Sequence, residues 1–171
     1  AVAAVPDLCT VKVSSDGVIA GAAVTINDLI EALHTFATNY PQSSAVLAGT
    51  NLPIKATALA DHLERVANNQ VRNVGSWAGN LCITKGRPDF PSDLRTILTA
   101  AGASMMIIDA AQQRSTVSVE QFLDLDMTGK IIQGLFVPLD QTKQAVLFDT
   151  YKVATRCENA HAVINAGFQF T

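Results

Sequence analysis

An Asp-Gly pair between two apolar runs constrains the fold of this chain more than any other feature. Asp16-Gly17 separates residues 11–13 from residues 18–22, and valine occurs in both flanking runs. Because Asp-Gly favours the tight turns that join antiparallel strands, the pattern predicts a β-hairpin. Further strands are predicted at residues 104–108, 113–117, 131–137, 146–154 and 162–170. Consecutive strands joined by short loops predict an antiparallel sheet.

Helical periodicity is concentrated between the hairpin and the later strands. Thr25 is predicted to cap a first helix, which residues 39–41 end. Apolar residues between 59 and 67 predict a second helix, and Ser92 is predicted to cap a third. The expected fold class is α+β, an antiparallel sheet with helices packed on one side. A chain of 171 residues without a repeat or linker fits a single domain.

Composition argues against several classes of function. Hydrophobic residues make up 49% of the chain and charged residues 16%, a balance that suits a domain packed against other domains. A net charge of −3 with no basic run argues against nucleic-acid binding, and no apolar run is long enough to span a membrane. Three widely spaced cysteines, at positions 9, 82 and 157, predict reduced thiols in a cytoplasmic protein.

The spacing of the histidines argues against a metal centre, and the lack of a nucleophile elbow argues against a hydrolase. Residues 34, 62 and 161 are histidines without a cysteine or acidic partner at metal-ligand spacing, so no metal site is predicted. His62 is predicted to be a surface residue of the second helix. The chain contains neither a nucleophile elbow nor the Gly-x-Gly-x-x-Gly pattern of a Rossmann dinucleotide site.

Residues 71–80 form the most informative motif, with the sequence Val-Arg-Asn-Val-Gly-Ser-Trp-Ala-Gly-Asn. Gly75 and Gly79 are expected to take positive φ and to let the backbone approach a ligand, while Ser76 and Asn80 add short polar side chains. Spacing alone fits a nucleotide-phosphate loop or an ordinary tight turn, and both alternatives stay open. Trp77 either stacks on a ring or covers an apolar patch.

The order of the motifs resembles that of a known family. After residues 71–80 come Ser92-Asp93-Leu94, then Lys152 with Arg156, then Asn165-Ala166-Gly167. In this order they resemble the PCMH-type FAD-binding domain of the molybdenum hydroxylases, the xanthine dehydrogenase and aldehyde oxidase family. The resemblance implies a flavoprotein oxidoreductase. The cofactor-binding residues that it implies are Gly75, Ser76, Ala78, Gly79, Asn80, Asp93 and Lys152.

The resemblance also implies roles for individual residues and for other parts of the enzyme. The aspartate of the Ser-Asp-Leu motif accepts a hydrogen bond from a hydroxyl of FAD, and the lysine lies near the flavin. FAD relays electrons from iron–sulfur clusters to NAD or oxygen, so no side chain here needs to act as a catalytic acid or base. The iron–sulfur clusters and the molybdenum cofactor belong to other domains or chains of the same enzyme, which is expected to form a homodimer when complete.

Several departures from the family pattern leave a second function open. Residues 1–171 are expected to form a single partial domain, the second subdomain, lacking the first subdomain with its own glycine loop. Ala78 replaces a glycine, and residues 84–90 form a longer link than usual. The chain alone is therefore expected to bind FAD weakly. The alternative function is a non-enzymatic binding or structural protein that kept the fold and lost its redox partners, so enzyme activity itself is left open.

Overall fold

The computed structural model describes residues 4–40, 55–139 and 147–170. Its helices are α1 (Ile26–Asn39), α2 (Lys55–Leu63), α3 (Asn69–Arg72), α4 (Trp77–Gly86), α5 (Asp93–Ala100) and α6 (Val119–Asp124). Its strands are β1 (Val11–Ser14), β2 (Gly17–Gly21), β3 (Ser104–Asp109), β4 (Arg114–Ser118), β5 (Lys130–Pro138), β6 (Leu147–Ala154) and β7 (Ala162–Phe170). The predicted α+β class is confirmed. The predicted helix end at Pro41 and strand start at Val146 lie outside the described residues.

The first sheet has five strands in the order β1-β2-β5-β3-β4, and every neighbouring pair is antiparallel. The predicted hairpin joins β1 to β2, with Ser14 paired to Gly17. Gly17 has a φ of 152°, and a Cβ there would collide with the Val137 carbonyl oxygen of β5. Only glycine fits this position, because the backbone conformation and the contact with β5 both exclude a side chain.

The helices α1 and α5 form where their caps and apolar spacing predict them. The Thr25 hydroxyl accepts from the Asp28 amide, and the Asp28 side chain accepts from the Thr25 amide, completing a capping box. Leu29, Leu33 and Phe36 form the buried face of α1, which packs on β1, β2 and α2. The Ser92 side chain accepts from Arg95 N and caps α5 as predicted.

The second sheet is the β6–β7 hairpin, which packs on α2 and α5. Its inner face approaches α5 closely at Gly167, where a Cβ would lie 2.6 Å from the Ala100 Cβ. Glycine at this position therefore brings β7 against the helix. The outer face is apolar and exposed, and its exposed residues are Tyr151, Val153, Ile164, Phe168 and Phe170.

Three helices, α3, α4 and α6, and one helix end differ from the sequence prediction. The second helix ends at Leu63, so Val66 and Ala67 lie in a turn, and Ala67 has a φ of 49°. The helices α3 and α6, of 4 and 6 residues, are too short to show a period. Among the described residues, no helix has the length and apolar composition that crossing a membrane requires.

Candidate functional site

The glycine-containing motif is the start of a helix. Ser76 is the N-cap of α4, and its hydroxyl accepts from Gly79 N at 3.0 Å. Gly79 and Asn80 therefore lie in the first helical turn. The predicted positive φ at Gly75 and Gly79 is wrong, since neither belongs to the positive-φ glycines of the structure. Ile26 N donates to Gly75 O at 2.9 Å, which fastens the motif to the start of α1.

Trp77 anchors the start of α4 in the core. Its side chain is fully buried, and Nε1 donates to Gly21 O at 2.8 Å. A ring with no accessible face cannot stack on a ligand, so the stacking alternative is wrong. Ala78 is also buried and lines a cleft of about 800 Å³ together with Cys82 and Phe122, and Ser76 and Gly79 border this cleft as well.

A cleft of about 480 Å³ opens beside the start of α4. Five of the predicted cofactor-binding residues line it, namely Gly75, Ser76, Gly79, Asn80 and Asp93. Its other walls are mainly apolar and include Ile26, Val66, Ile83, Phe90 and Pro91. The volume lies in the range of cofactor pockets, and the mixture of apolar walls with a few polar groups is typical of them. The structure thus brings together in one cleft most of the residues that the family resemblance implied.

The rim of this cleft is the turn between β6 and β7. Asn159 N donates to Ala67 O at 2.9 Å, and Asn68 Nδ2 donates to Asn159 Oδ1 at 2.9 Å. The His161 ring meets Phe90 edge to face, with 5.5 Å between ring centroids. Arg156 lies in this turn, where its guanidinium donates to Asn159 O.

A buried cluster of polar side chains surrounds Asp93. Asp93 Oδ2 accepts from Lys152 Nζ at 2.9 Å, and Oδ1 accepts from Asn165 Nδ2 at 3.1 Å. Lys152 Nζ also donates to Arg65 O at 2.8 Å. The Lys152 side chain is 3% exposed, so its ammonium group is held inside the protein. Lys152 meets Asp93 and does not line the cleft itself.

His62 belongs to the same cluster, and its prediction as a surface residue is wrong. It is 2% exposed, and its Nε2 lies 3.5 Å from Asp93 Oδ1. Within the described ranges, Nε2 has no hydrogen-bond partner. A sequence signal existed, because His62 lies three residues after Leu59 and four before Val66, on the apolar face of the helix.

The cluster keeps the Asp93 carboxyl ionised. Burial raises the pKa of this carboxyl, but the hydrogen bond and charge of Lys152 and the close approach of His62 together lower it by more. The pKa of Asp93 therefore lies below its ordinary value. Among the described residues, no group of histidine, cysteine and acidic side chains is arranged to hold a metal ion.

The residues of the cleft fit FAD, the cofactor that the family resemblance implies. The first amide groups of α4 have no acceptor within the helix, and a helix N-terminus favours a negatively charged group. Asn80 accepts from Ser92 Oγ at 2.6 Å and keeps amide donors with no partner in the described part of the chain. Gly79 lines the cleft without a side chain, and a Cβ there would also lie 3.1 Å from the capping Ser76 Oγ. The apolar walls suit a ring system.

Comparison with known proteins agrees with this assignment. A family model described as "FAD binding domain in molybdopterin dehydrogenase" matches residues 1–140. Indole-3-acetaldehyde oxidase from Arabidopsis thaliana is 33% identical over 96% of this chain and 12% of its own length.

Solved structures show the same fold. Quinoline 2-oxidoreductase from Pseudomonas putida 86 aligns with a TM-score of 0.69 at 22% identity, covering 95% of this chain and 50% of that chain. A carbon monoxide dehydrogenase from Hydrogenophaga pseudoflava, lacking the Mo-pyranopterin moiety, aligns with a TM-score of 0.64 at 21% identity, covering 92% of this chain and 48% of that chain. This chain thus spans about half of the solved chains and a much smaller part of its curated relative.

Proposed function

Because the chain belongs to the family of FAD-binding domains of molybdopterin dehydrogenases, we propose that the cleft beside α4 holds FAD. The observation that carries the proposal is the convergence of Gly75, Ser76, Gly79, Asn80 and Asp93 on one cleft. The four residues of the motif lie 13 to 18 positions before Asp93 in the sequence, so the fold brings them and Asp93 to the same cleft. FAD, when bound, supplies the electron-transfer chemistry of such a domain.

Each residue of the site has a distinct role in this proposal. Backbone amides in the first turn of α4, including that of Ala78, bind the negatively charged part of the cofactor. Ser76 holds this turn in place by capping it. Asp93 accepts a hydrogen bond from the cofactor, and Lys152, which does not line the cleft, holds the Asp93 carboxylate through Oδ2. No side chain acts as an acid or base.

We further propose that the chain is part of a larger oxidoreductase of the aldehyde oxidase or xanthine dehydrogenase type. In it, FAD relays electrons from iron–sulfur clusters to NAD or oxygen, and the iron–sulfur and molybdenum domains are its partners. The exposed apolar face of β6 and β7 supports packing against other parts of such a protein, because monomers rarely expose large apolar patches. A cytoplasmic location and a homodimer stay predictions from the sequence.

We also propose that residues 1–171 supply only part of the FAD site, with a first subdomain completing it. The half coverage of the solved chains supports this division. The alternative function is a non-enzymatic relative that keeps the fold. One argument for it, the replacement of a glycine by Ala78, is weakened by the structure. Ala78 is not among the residues that line the cleft assigned to FAD, so its side chain does not crowd it.

Flavin content tests the proposal. The complete protein is purified, its visible absorption spectrum is recorded, and the apo-protein is titrated with FAD by fluorescence. A flavin spectrum with stoichiometric FAD is the expected result. The 171-residue chain is expected to bind FAD only in the micromolar range or more weakly, near −8 kcal/mol at best. A complete protein that is colourless and does not bind added FAD would contradict the proposed function.

A further inference from the structure

Two hydrogen bonds and one close side-chain contact from the protein surround the Asp93 carboxylate. A carboxylate offers about four lone pairs, two on each oxygen. Lys152 uses one on Oδ2, Asn165 uses one on Oδ1, and the His62 ring nitrogen lies 3.5 Å from the same Oδ1. If His62 takes the second position on Oδ1, one acceptor position is left, on Oδ2. Asp93 lines the cleft, so a donor within the cleft can use that position.

A carboxylate needs such a set of contacts to keep one orientation. The terminal torsion of aspartate is broad, because it joins an sp³ to an sp² carbon. Lys152, which also donates to Arg65 O, contacts only Oδ2 and so fixes the position of that one oxygen. Contacts on Oδ1 fix the rotation of the group about its terminal torsion, and His62 and Asn165 are the side chains that lie there.

We propose that His62 is a positioning residue of the cofactor site, which holds the Asp93 carboxylate so that one acceptor position serves the cofactor. The inference rests on the proposed function, and it assigns a role that the family motifs do not contain. His62 itself does not line the cleft, so it acts only through Asp93. The buried Nε2 has no other polar partner in the described residues, and burial without a partner is unfavourable.

A purely structural role for His62 predicts a different outcome on substitution. His62 packs beside Leu59 and Leu63 on the buried face of α2. Leucine at this position therefore suits the core, and His62→Leu is expected to keep the melting temperature of the apo-protein. Glutamine keeps an N–H donor at similar reach. His34, which is exposed on α1 and bonded to Glu64, provides the matched control as His34→Leu.

The experiment measures the dissociation constant of FAD and the apo-protein melting temperature for the complete protein and its variants. His62→Leu is expected to weaken FAD binding at least about tenfold, because a carboxylate that loses its orientation loses its hydrogen bond to the cofactor, and a hydrogen bond to a charged group is worth about that much. His62→Gln should recover most of that loss, and His34→Leu should bind FAD as the wild type does. On an Asp93→Asn background, His62→Leu should have little further effect, because both residues act through the same carboxylate.

The outcomes separate this inference from the proposed function. If wild-type protein does not bind FAD, the proposed function fails and the role of His62 falls with it. If wild-type protein binds FAD and His62→Leu binds equally well, or weakens binding equally on the Asp93→Asn background, the positioning role alone is overturned. Should His62→Leu fail to fold, His62→Asn, too short to reach Oδ1, replaces it. Equal FAD affinity of His62→Asn and His62→Gln would then overturn the role.

Discussion

The Asp93–Lys152 pair makes a specific prediction about stability. In Asp93→Asn the negative charge is lost, and the Lys152 ammonium, 3% exposed, keeps only the neutral acceptors around it. Removing one partner of a buried ion pair typically costs about 3–5 kcal/mol. For a domain of this size, each kcal/mol lowers the melting temperature by about 2–4 °C. We therefore expect Asp93→Asn to melt roughly 6–20 °C below the wild type.

The assay is thermal unfolding of the apo-protein at pH 7, followed by circular dichroism. The double variant Asp93→Asn with Lys152→Met removes both charges and keeps the volume of each side chain. It should recover most of the lost stability, because buried ion pairs are often no more stabilising than well-packed apolar replacements. A fall of less than about 3 °C in Asp93→Asn, or a double variant as unstable as the single one, would refute the buried pair.

Three further predictions concern the core, a buried lysine and the sequence motif. Trp77→Phe should cost about 2–4 kcal/mol in urea unfolding, because it leaves a cavity and removes the donor to Gly21 O; an unchanged midpoint would contradict this. Burial lowers the pKa of Lys55 from 10.5 to about 8. The pKa of Lys55 is lower in the folded than in the unfolded protein, so the folded protein binds fewer protons between these values. The free energy of unfolding of the wild type should therefore rise relative to that of Lys55→Met as pH rises from about 8 to 10.5. Parallel plots of unfolding free energy against pH for the two proteins would exclude the lowered pKa. Ser76→Ala should weaken α4 by about 1 kcal/mol and lower FAD content with it, and chemical unfolding with flavin absorbance checks both.

Local signals in the sequence were sufficient for the strands and for the helices α1 and α5. The turn at Asp16-Gly17 and the caps at Thr25 and Ser92 depend on a few neighbouring residues, and the structure contains all three. The motif around Ser76 shows the limit of such signals. Its glycines suggested a loop, whereas the cap preference of Ser76 and the burial of Trp77 make it the start of a helix.

The polar cluster could not be derived from local pattern. Lys152 lies 59 positions from Asp93 in the sequence, and only the packing of β6 against the helices brings them together. The sequence therefore did not predict the burial of Lys152 or the contact of His62 with the same carboxylate. The family resemblance pointed to Asp93 and Lys152 as separate contacts of a cofactor. The structure joins them into one ion pair, of which Asp93 alone reaches the cleft.

The most direct test of the FAD site compares two glycines of the same helix. Gly79 lines the cleft, whereas a Cβ at Gly86, at the other end of α4, meets nothing within 4 Å. Both Gly79→Val and Gly86→Val make the same change in helix propensity, but a Cβ at Gly79 lies 3.1 Å from the capping Ser76 Oγ, so Gly79→Val is expected to melt somewhat lower and is compared at a temperature where both variants are folded. In the complete protein, Gly79→Val is expected to lose at least about tenfold in FAD affinity, as expected when a side chain enters a closely packed contact. Gly86→Val should keep its flavin. Full FAD content in both variants, or flavin loss in Gly79→Val that only follows unfolding, would contradict the assignment of this cleft to FAD.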